Sequence, residues 1–293
     1  MGSNPTLSAI SPLGDPRMEL LVFDLDGTLL DASSTISAYT RETLSLLAAR
    51  GIHYTVATGR TLHASRELID GHGFHLPQAY KNGVLIWDPK AADYTHQTSL
   101  TLSELEHVVG AVMTQGITPF LFTLEAGNRH VVYHAPLQHE VEQRLAADYA
   151  RLSGVEVCDA GLLPADAQIT NISALGAPAA IDAVQALIAD EPELVAYSGV
   201  AMEGPSLRWI DIHHVEASKG AAVQVLREQL GATRVVCFGD SDNDLSMFAV
   251  ADEAYAPGNA KAVVKEAATA VIGHHDEHGI ARFLRERFDL DKS

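Results

Sequence analysis

Two aspartates two positions apart close an apolar run in FDLDGTLL, residues 23–30. Carboxylates about 4 Å apart repel by roughly 4 kcal/mol at an effective dielectric near 20, so something in the fold must offset that cost. On an extended chain Asp24 and Asp26 project to one side, about 6.5 Å apart. One carboxylate can then attack a group while the other protonates its far side. Gly27 permits a sharp exit from the run, and Thr28 offers donors to an anion. A capped turn, with both aspartates bonded to nearby amides, fits the same residues.

Three further stretches carry chemistry. VATGR ends a second apolar run with Thr58, Gly59 and Arg60. A hydroxyl and backbone N–H groups there suit a phosphoryl oxygen, and Arg60 suits the rest of an anionic substrate; an ordinary turn is the plainer reading. GDSDNDLSM, 239–247, places Asp240, Asp242 and Asp244 within five residues. An EF-hand is excluded, since its sixth position would be Leu245 and its twelfth Ala251, where glycine and glutamate are required. Magnesium fits better, because it takes one or two carboxylates together with water and substrate oxygens. Asp242 reads as a solvated turn acid. Lys219 follows Ser218 at a helix start, where the helix dipole disfavours a cation, so an acidic neighbour is expected. Four carboxylates, a hydroxyl and a lysine at one sheet edge rest poorly together. They suit a site that a divalent cation and a phosphoryl group fill.

The elements that position these residues alternate strand and helix. LLVFDLDG reads as a strand covered on both faces, followed by a helix to Gly51, the strand HYTVATGR, a helix over 61–73 and a third strand, QAYKNGVLIW. Such alternation implies a parallel, doubly wound sheet, whose ligands bind at the carboxyl ends of strands. From Asp88 strands outnumber helices, as in a mostly antiparallel α+β insert. Alternation returns with the helix at Lys219 and the strand RVVCFGD. The expected division is a tail over 1–17, a core of 18–87 and 210–293, and an inserted domain of 88–209.

Composition narrows the function. The 293 residues carry 20 basic and 38 acidic side chains, a net charge of −18, the wrong balance for nucleic acid or an anionic membrane surface. No apolar stretch reaches spanning length, and residues 1–17 lack a signal peptide's basic start and apolar stretch, so a cytoplasmic protein is expected. Cys237 reads as a buried core thiol. The fourteen histidines, among them His130, His134, His213, His214, His274, His275 and His278, read as surface residues. His130 and His134 are four apart on a predicted strand, about 13 Å, too far for one ion. Arg129 and Arg208 read as surface residues as well. The sequence assigns no oligomeric state.

Taken together, DLDGT, ATGR, Lys219 and GDSDND resemble the four motifs of the haloacid dehalogenase superfamily of phosphatases, in the family's order. KNGVLIW before the insert and PGNA (257–260) after the acid cluster resemble its Cof-type subfamily, whose α+β cap falls where this insert lies. The resemblance spans Met18 to the end and implies a Rossmann-like core with a cap. It implies Asp24 as nucleophile through an aspartyl-phosphate, and Asp26 as general acid and then base. It also implies Mg²⁺ on the Asp24 carboxylate, the Asp26 carbonyl and Asp240, with Asp244 in support. Thr58 and Lys219 would hold the phosphoryl group, and Asn82 and Asn243 would contact phosphate or substrate. The implied substrate is a small phosphate ester such as a sugar phosphate. A phosphomutase of the same superfamily shares these motifs. A phospho-receiver switch, the non-enzymatic alternative, is compact and has no cap-sized insert.

Overall fold

Residues 18–201 and 204–292 are described by a computed structural model; the tail expected over 1–17 lies outside them. The chain opens with β1 (Glu19–Phe23), buried from Leu20 onward. Helix α1 (Ala38–Ala49) starts where the Ser37 hydroxyl accepts from the Thr40 N–H, satisfying an orphan donor of the first turn. β2 (His53–Val56) and α2 (Leu62–Ile69), capped by Thr61, follow. The third expected strand divides into β3 (Gln78–Tyr80) and β4 (Leu85–Asp88), which pair antiparallel with each other and then with β5 (Asp93–Gln97). The break falls at Lys81, Asn82 and Gly83, all with positive φ (51°, 55° and 95°). Gly83 is required there, because a Cβ would lie 2.2 Å from the Ser218 carbonyl oxygen. The turn is thereby pressed against the start of the helix that carries Lys219.

The insert contains α3 (Leu102–Thr114), β6 (Phe120–Glu125), β7 (Arg129–His134), α4 (Glu140–Arg151), β8 (Val155–Asp159), β9 (Ile169–Gly176), α5 (Pro178–Ile188), β10 (Leu194–Ala201) and β11 (Gly204–His214). Its six strands lie in the order β10-β11-β9-β6-β7-β8. All pairs are antiparallel except β7 with β8. Alternation along these strands sends Leu121, Val131, Ile172 and Ile210 under α3 and α5, while Phe120, Phe122 and Val132 pack with α4 on the opposite face. β11 crosses the boundary expected between residues 209 and 210, and β4 reaches across the one expected at 87/88.

The chain then returns as α6 (Lys219–Leu230), β12 (Arg234–Phe238), α7 (Leu245–Phe248), β13 (Glu253–Ala256), α8 (Ala262–Ala267), β14 (Ala270–Val271) and α9 (Gly279–Arg287). With β1 and β2 these strands form one parallel sheet, β14-β13-β12-β1-β2. Leu20, Val22, Val235 and Cys237 face one apolar layer; Leu21, Phe23, Val236 and Phe238 face the other. Each such side chain contributes about 1.5–3 kcal/mol on burial. The sheet therefore holds the carboxyl ends of β1 and β12 side by side, in register from Glu19–Arg234 to Phe23–Phe238. Among the described residues no helix is long and apolar enough to cross a membrane.

Candidate active site

The carboxyl ends of β1, β2 and β12 bring the expected residues together. The Asp24 N–H donates to the Phe238 carbonyl (2.9 Å), and the Ala57 N–H donates to the Phe23 carbonyl (2.9 Å), which fixes Asp24 beside Thr58 and Gly239. From α6, the Lys219 ammonium donates to Asp24 Oδ1 at 2.5 Å and to Asp244 Oδ1 at 2.6 Å. Lys219 is only 1% exposed, and the acidic neighbours expected from its unfavourable place in a helix's first turn are these two. Asp244 is fully occupied, since its Oδ2 accepts from the N–H groups of Asp240 (2.8 Å) and Ser241 (2.9 Å).

The chain leaves the strand at Phe23, and this overturns the expected one-sided projection of the aspartate pair. Asp24 is still extended, but residues 25–29 form a wide helical turn with Gly27 at φ 72°. Asp24 is thus buried, whereas the Asp26 side chain is 53% exposed. A Cβ at Gly27 would meet Asp240 Oδ2 at 2.7 Å, so glycine is needed for room as well as for its backbone angle. Thr28, expected to serve an anion, donates to Asp240 Oδ1 at 3.0 Å. Arg60, expected to reach the substrate, instead forks onto Asp26, with both contacts at 2.6 Å.

Thr58 is buried, and its Oγ1 accepts from the Arg60 N–H (3.2 Å), leaving the hydroxyl proton free to donate. Asn82 Oδ1 accepts from Asn243 Nδ2 at 2.9 Å and stands over Gly59, where a Cβ would lie 3.2 Å away. Asp242 is half exposed and pairs with Lys261 at 2.5 Å, outside the cluster. Sequence reasoning assigned no role to Asn259, which donates to the Gly27 carbonyl (2.7 Å) and accepts from the His275 N–H (3.2 Å). It pins the loop that carries Asp26. The PGNA stretch was the signal that could have found it.

Several histidines are less exposed than expected. His275 donates from Nδ1 to the Leu30 carbonyl (2.8 Å), His130 bonds the Tyr94 hydroxyl (2.8 Å), and His213 is 1% exposed. Arg129 pairs with Glu125 and Glu156, and Arg208 with Asp182, on the surface as expected. Cys237 is buried in β12.

The electrostatics are those of a cluster short of positive charge. Asp24, Asp240 and Asp244 each bring a carboxylate oxygen within 4.8 Å of the others, and one ammonium serves two of them. Burial, reinforced by Asp244 and Asp240, holds the Asp24 carboxyl well above its ordinary range despite Lys219. Burial and Asp244 push Asp240 up to about 6, against the pull of the Thr28 hydroxyl and Lys219. Burial would discharge Lys219, but Asp24 and Asp244 outweigh it and keep the ammonium charged. Hard oxygen donors with an excess of negative charge match a small divalent cation. Asp24 and Asp240 can bind one directly, and Asp244 can support them.

A match to the haloacid dehalogenase-like hydrolase family covers residues 21–284. Among curated relatives, the 5-amino-6-(5-phospho-D-ribitylamino)uracil phosphatase YitU of Bacillus subtilis is 25% identical over 92% of this chain and 98% of its own. Among solved structures, a haloacid dehalogenase-like hydrolase from B. subtilis superposes with a TM-score of 0.74 at 23% identity, over 91% of this chain and 98% of that one. The subclass IIB sugar phosphatase BT4131 gives 0.73 at 20% identity, over 93% and 99%. These two structures share the fold, an α/β core bearing additional sheets. The chain belongs to the haloacid dehalogenase-like hydrolase family.

Proposed function

We propose that this phosphatase hydrolyses a small phosphorylated metabolite, of the sugar-phosphate class, through an aspartyl-phosphate at Asp24. The observation that carries the reading is the state of Asp24. Lys219 holds its Oδ1 and the strand end holds its backbone N–H, while Oδ2 accepts no hydrogen bond among the described residues. A positioned, desolvated carboxylate with one oxygen unengaged is a competent nucleophile.

Asp24 Oδ2 attacks phosphorus, forming the acyl phosphate as the bond to the leaving alkoxide breaks. Asp26 gives that alkoxide its proton. Asp26 then takes a proton from water, whose oxygen attacks phosphorus and returns Asp24 as a carboxylate with release of phosphate. The Arg60 guanidinium, forked onto both Asp26 oxygens, holds that side chain in place beside the site. The Thr58 hydroxyl and the Gly59 amide would steady the phosphoryl oxygens, and Lys219 would offset their charge. Asp24, the Asp26 carbonyl and Asp240 would hold Mg²⁺ with Asp244 in support; when bound, it relieves the acids' repulsion and polarises the phosphoryl group.

Support for the substrate class comes from relatives whose names are those of phosphatases for small phosphorylated metabolites, and from the likeness of fold to a sugar phosphatase. The test is phosphate release from a panel of small esters, with Mg²⁺ and with chelator, beside Asp24→Asn. Turnover that needs Mg²⁺ and is lost in the variant is expected. Normal turnover by Asp24→Asn would remove the aspartyl-phosphate.

A further inference from the structure

Above the catalytic cluster lies a second polar group to which the chemistry so far gives no work. The face of the insert's sheet left uncovered by α3 and α5 carries Asn171 and Ser173 on β9, Asp211 and His213 on β11, and Tyr197 on β10. Strand alternation puts Ile172, Ala174, Ile210 and Ile212 on the other side. Ser173, Asp211 and Tyr197 share one cross-strand row. Asn171 Nδ2 donates to Ser173 Oγ (3.0 Å) and lies 3.4 Å from Asp211 Oδ1, which also accepts from the Ser173 hydroxyl. Tyr197 lies within electrostatic reach of Lys219, Asp242 and Asp244, so this row looks down on the active site.

Lys81 meets this face from below. Its backbone is laced to the site, since the Lys81 N–H donates to the Arg60 carbonyl (3.0 Å) and the Asn82 N–H to the Thr58 carbonyl (2.9 Å). Its ammonium rests 3.9 Å from the centre of the Phe122 ring, and Phe122 is the direct strand partner of Asn171. Lys81 is buried and takes no hydrogen bond or ion pair through its ammonium among the described residues. Burial lowers its proton affinity, with Asp211 as the partial offset. Lys81 and Asn82 are also consecutive non-glycine residues at positive φ, a conformation that costs free energy and concentrates at functional positions.

His213 completes the group. Its Nδ1 faces the His214 carbonyl at 3.1 Å and must donate there, so Nε2 carries the lone pair. Burial favours the neutral ring, and Nε2, although buried, has no partner among the described residues. An unpaired buried acceptor costs free energy that a ligand's donor would recover.

We propose that Lys81, Asp211 and His213 form a hydroxyl-recognising subsite that selects phosphorylated polyols and sugars by their leaving group. An ammonium with unused donors takes a hydroxyl oxygen, while Asp211 and His213 Nε2 each take a hydroxyl proton. A second phosphate or a carboxylate would satisfy Lys81 but would be opposed by Asp211 and would leave His213 without a donor. Hydroxyls satisfy all three groups together. The inference rests on the phosphatase reading above.

The experiment compares wild type, Lys81→Met and Asp211→Asn on ribose 5-phosphate, sorbitol 6-phosphate, fructose 1,6-bisphosphate and phenyl phosphate, whose leaving group bears no further hydroxyl. Wild type is expected to favour the two hydroxylated monophosphates. Each variant is expected to lower the ratio of their kcat/KM to that of phenyl phosphate by at least about tenfold, chiefly through KM. Asp211→Asn preserves shape, and its melting curve separates a folding loss from a recognition loss. A ratio unchanged in both variants, or a wild-type preference for the bisphosphate, overturns the subsite while phenyl phosphate turnover still upholds the phosphatase. Failure of wild type on every ester overturns the phosphatase reading and the subsite with it.

Discussion

Two lysines are buried on neighbouring segments, one at the start of α6 and one in the turn between β3 and β4, and they are treated in opposite ways. Lys219 is bonded at 2.5 and 2.6 Å to Asp24 and Asp244, and its charge is reinforced. Lys81 rests on an aromatic ring with no bonded partner among the described residues, and its charge is weakened by burial. Lys219 is part of the resting structure, because removing it would leave buried carboxylates uncompensated. Lys81 is held ready at a cost to the resting structure. The difference separates a floor built for one chemical step from a roof built to recognise whatever the phosphate is attached to.

The largest effect expected on this comparison comes from the floor. Asp24→Asn should lower kcat at least about a thousandfold, with near-ultraviolet circular dichroism unchanged. Asp26→Asn should lower kcat by about 10²–10⁴, less for esters whose leaving groups depart without a proton. A uniform loss across leaving groups would take the acid role from Asp26.

Stability tests the two lysines directly. Lys219→Met should cost about 3–5 kcal/mol, as expected when one partner of a buried ion pair is removed. Lys81→Met should leave stability unchanged or raise it by about 1 kcal/mol, since it replaces a buried charge, with only the Phe122 ring and no ion pair among the described residues, by an apolar chain. Chemical denaturation of both variants measures the contrast, and equal losses would erase it.

The smallest effect expected is a pH dependence at the seam between core and insert. His130 packs edge-on against His63 and bonds Tyr94. Burial, with His63 and Lys81, lowers its pKa to about 4. Its ordinary value is about 6.5, so between 6.5 and 4 the unfolded chain binds more protons than the folded one. Its contribution is therefore complete above pH 6.5 and lost as the pH falls toward 4. The melting temperature of wild type should decline over that window more steeply than that of His130→Gln. Parallel profiles would show that His130 does not set the slope.

The core and the cluster of candidate site residues were legible because local chemistry announces them. A continuous apolar run ending in aspartate reads as a buried parallel strand, and alternation with helices fixes the sheet's direction. Lys219 in a first helical turn signalled acidic company before any contact was known. The pairing of Arg60 with Asp26 was not legible, because it depends on a wide turn that swings Asp26 away from its neighbour. The split of the third strand was hidden as well, since Lys81 and Asn82 at positive φ give no compositional sign. His213 passed for a surface residue because period-two alternation puts a side chain on one face without telling what covers that face.

Sequence alone determined the order of the elements and the kinds of group at each strand end, both of which follow from patterns within a few residues. Only the tertiary structure decided that Asp24 is buried and Asp26 exposed, that Lys219 is paired, and that among the described residues Lys81 is not and His213 Nε2 lacks a donor. Those facts depend on partners supplied by distant segments, such as Asp244 for Lys219 and Phe122 for Lys81. Burial and pairing are properties of the packed chain, and they set the charge and the unused bonds with which the site meets a substrate.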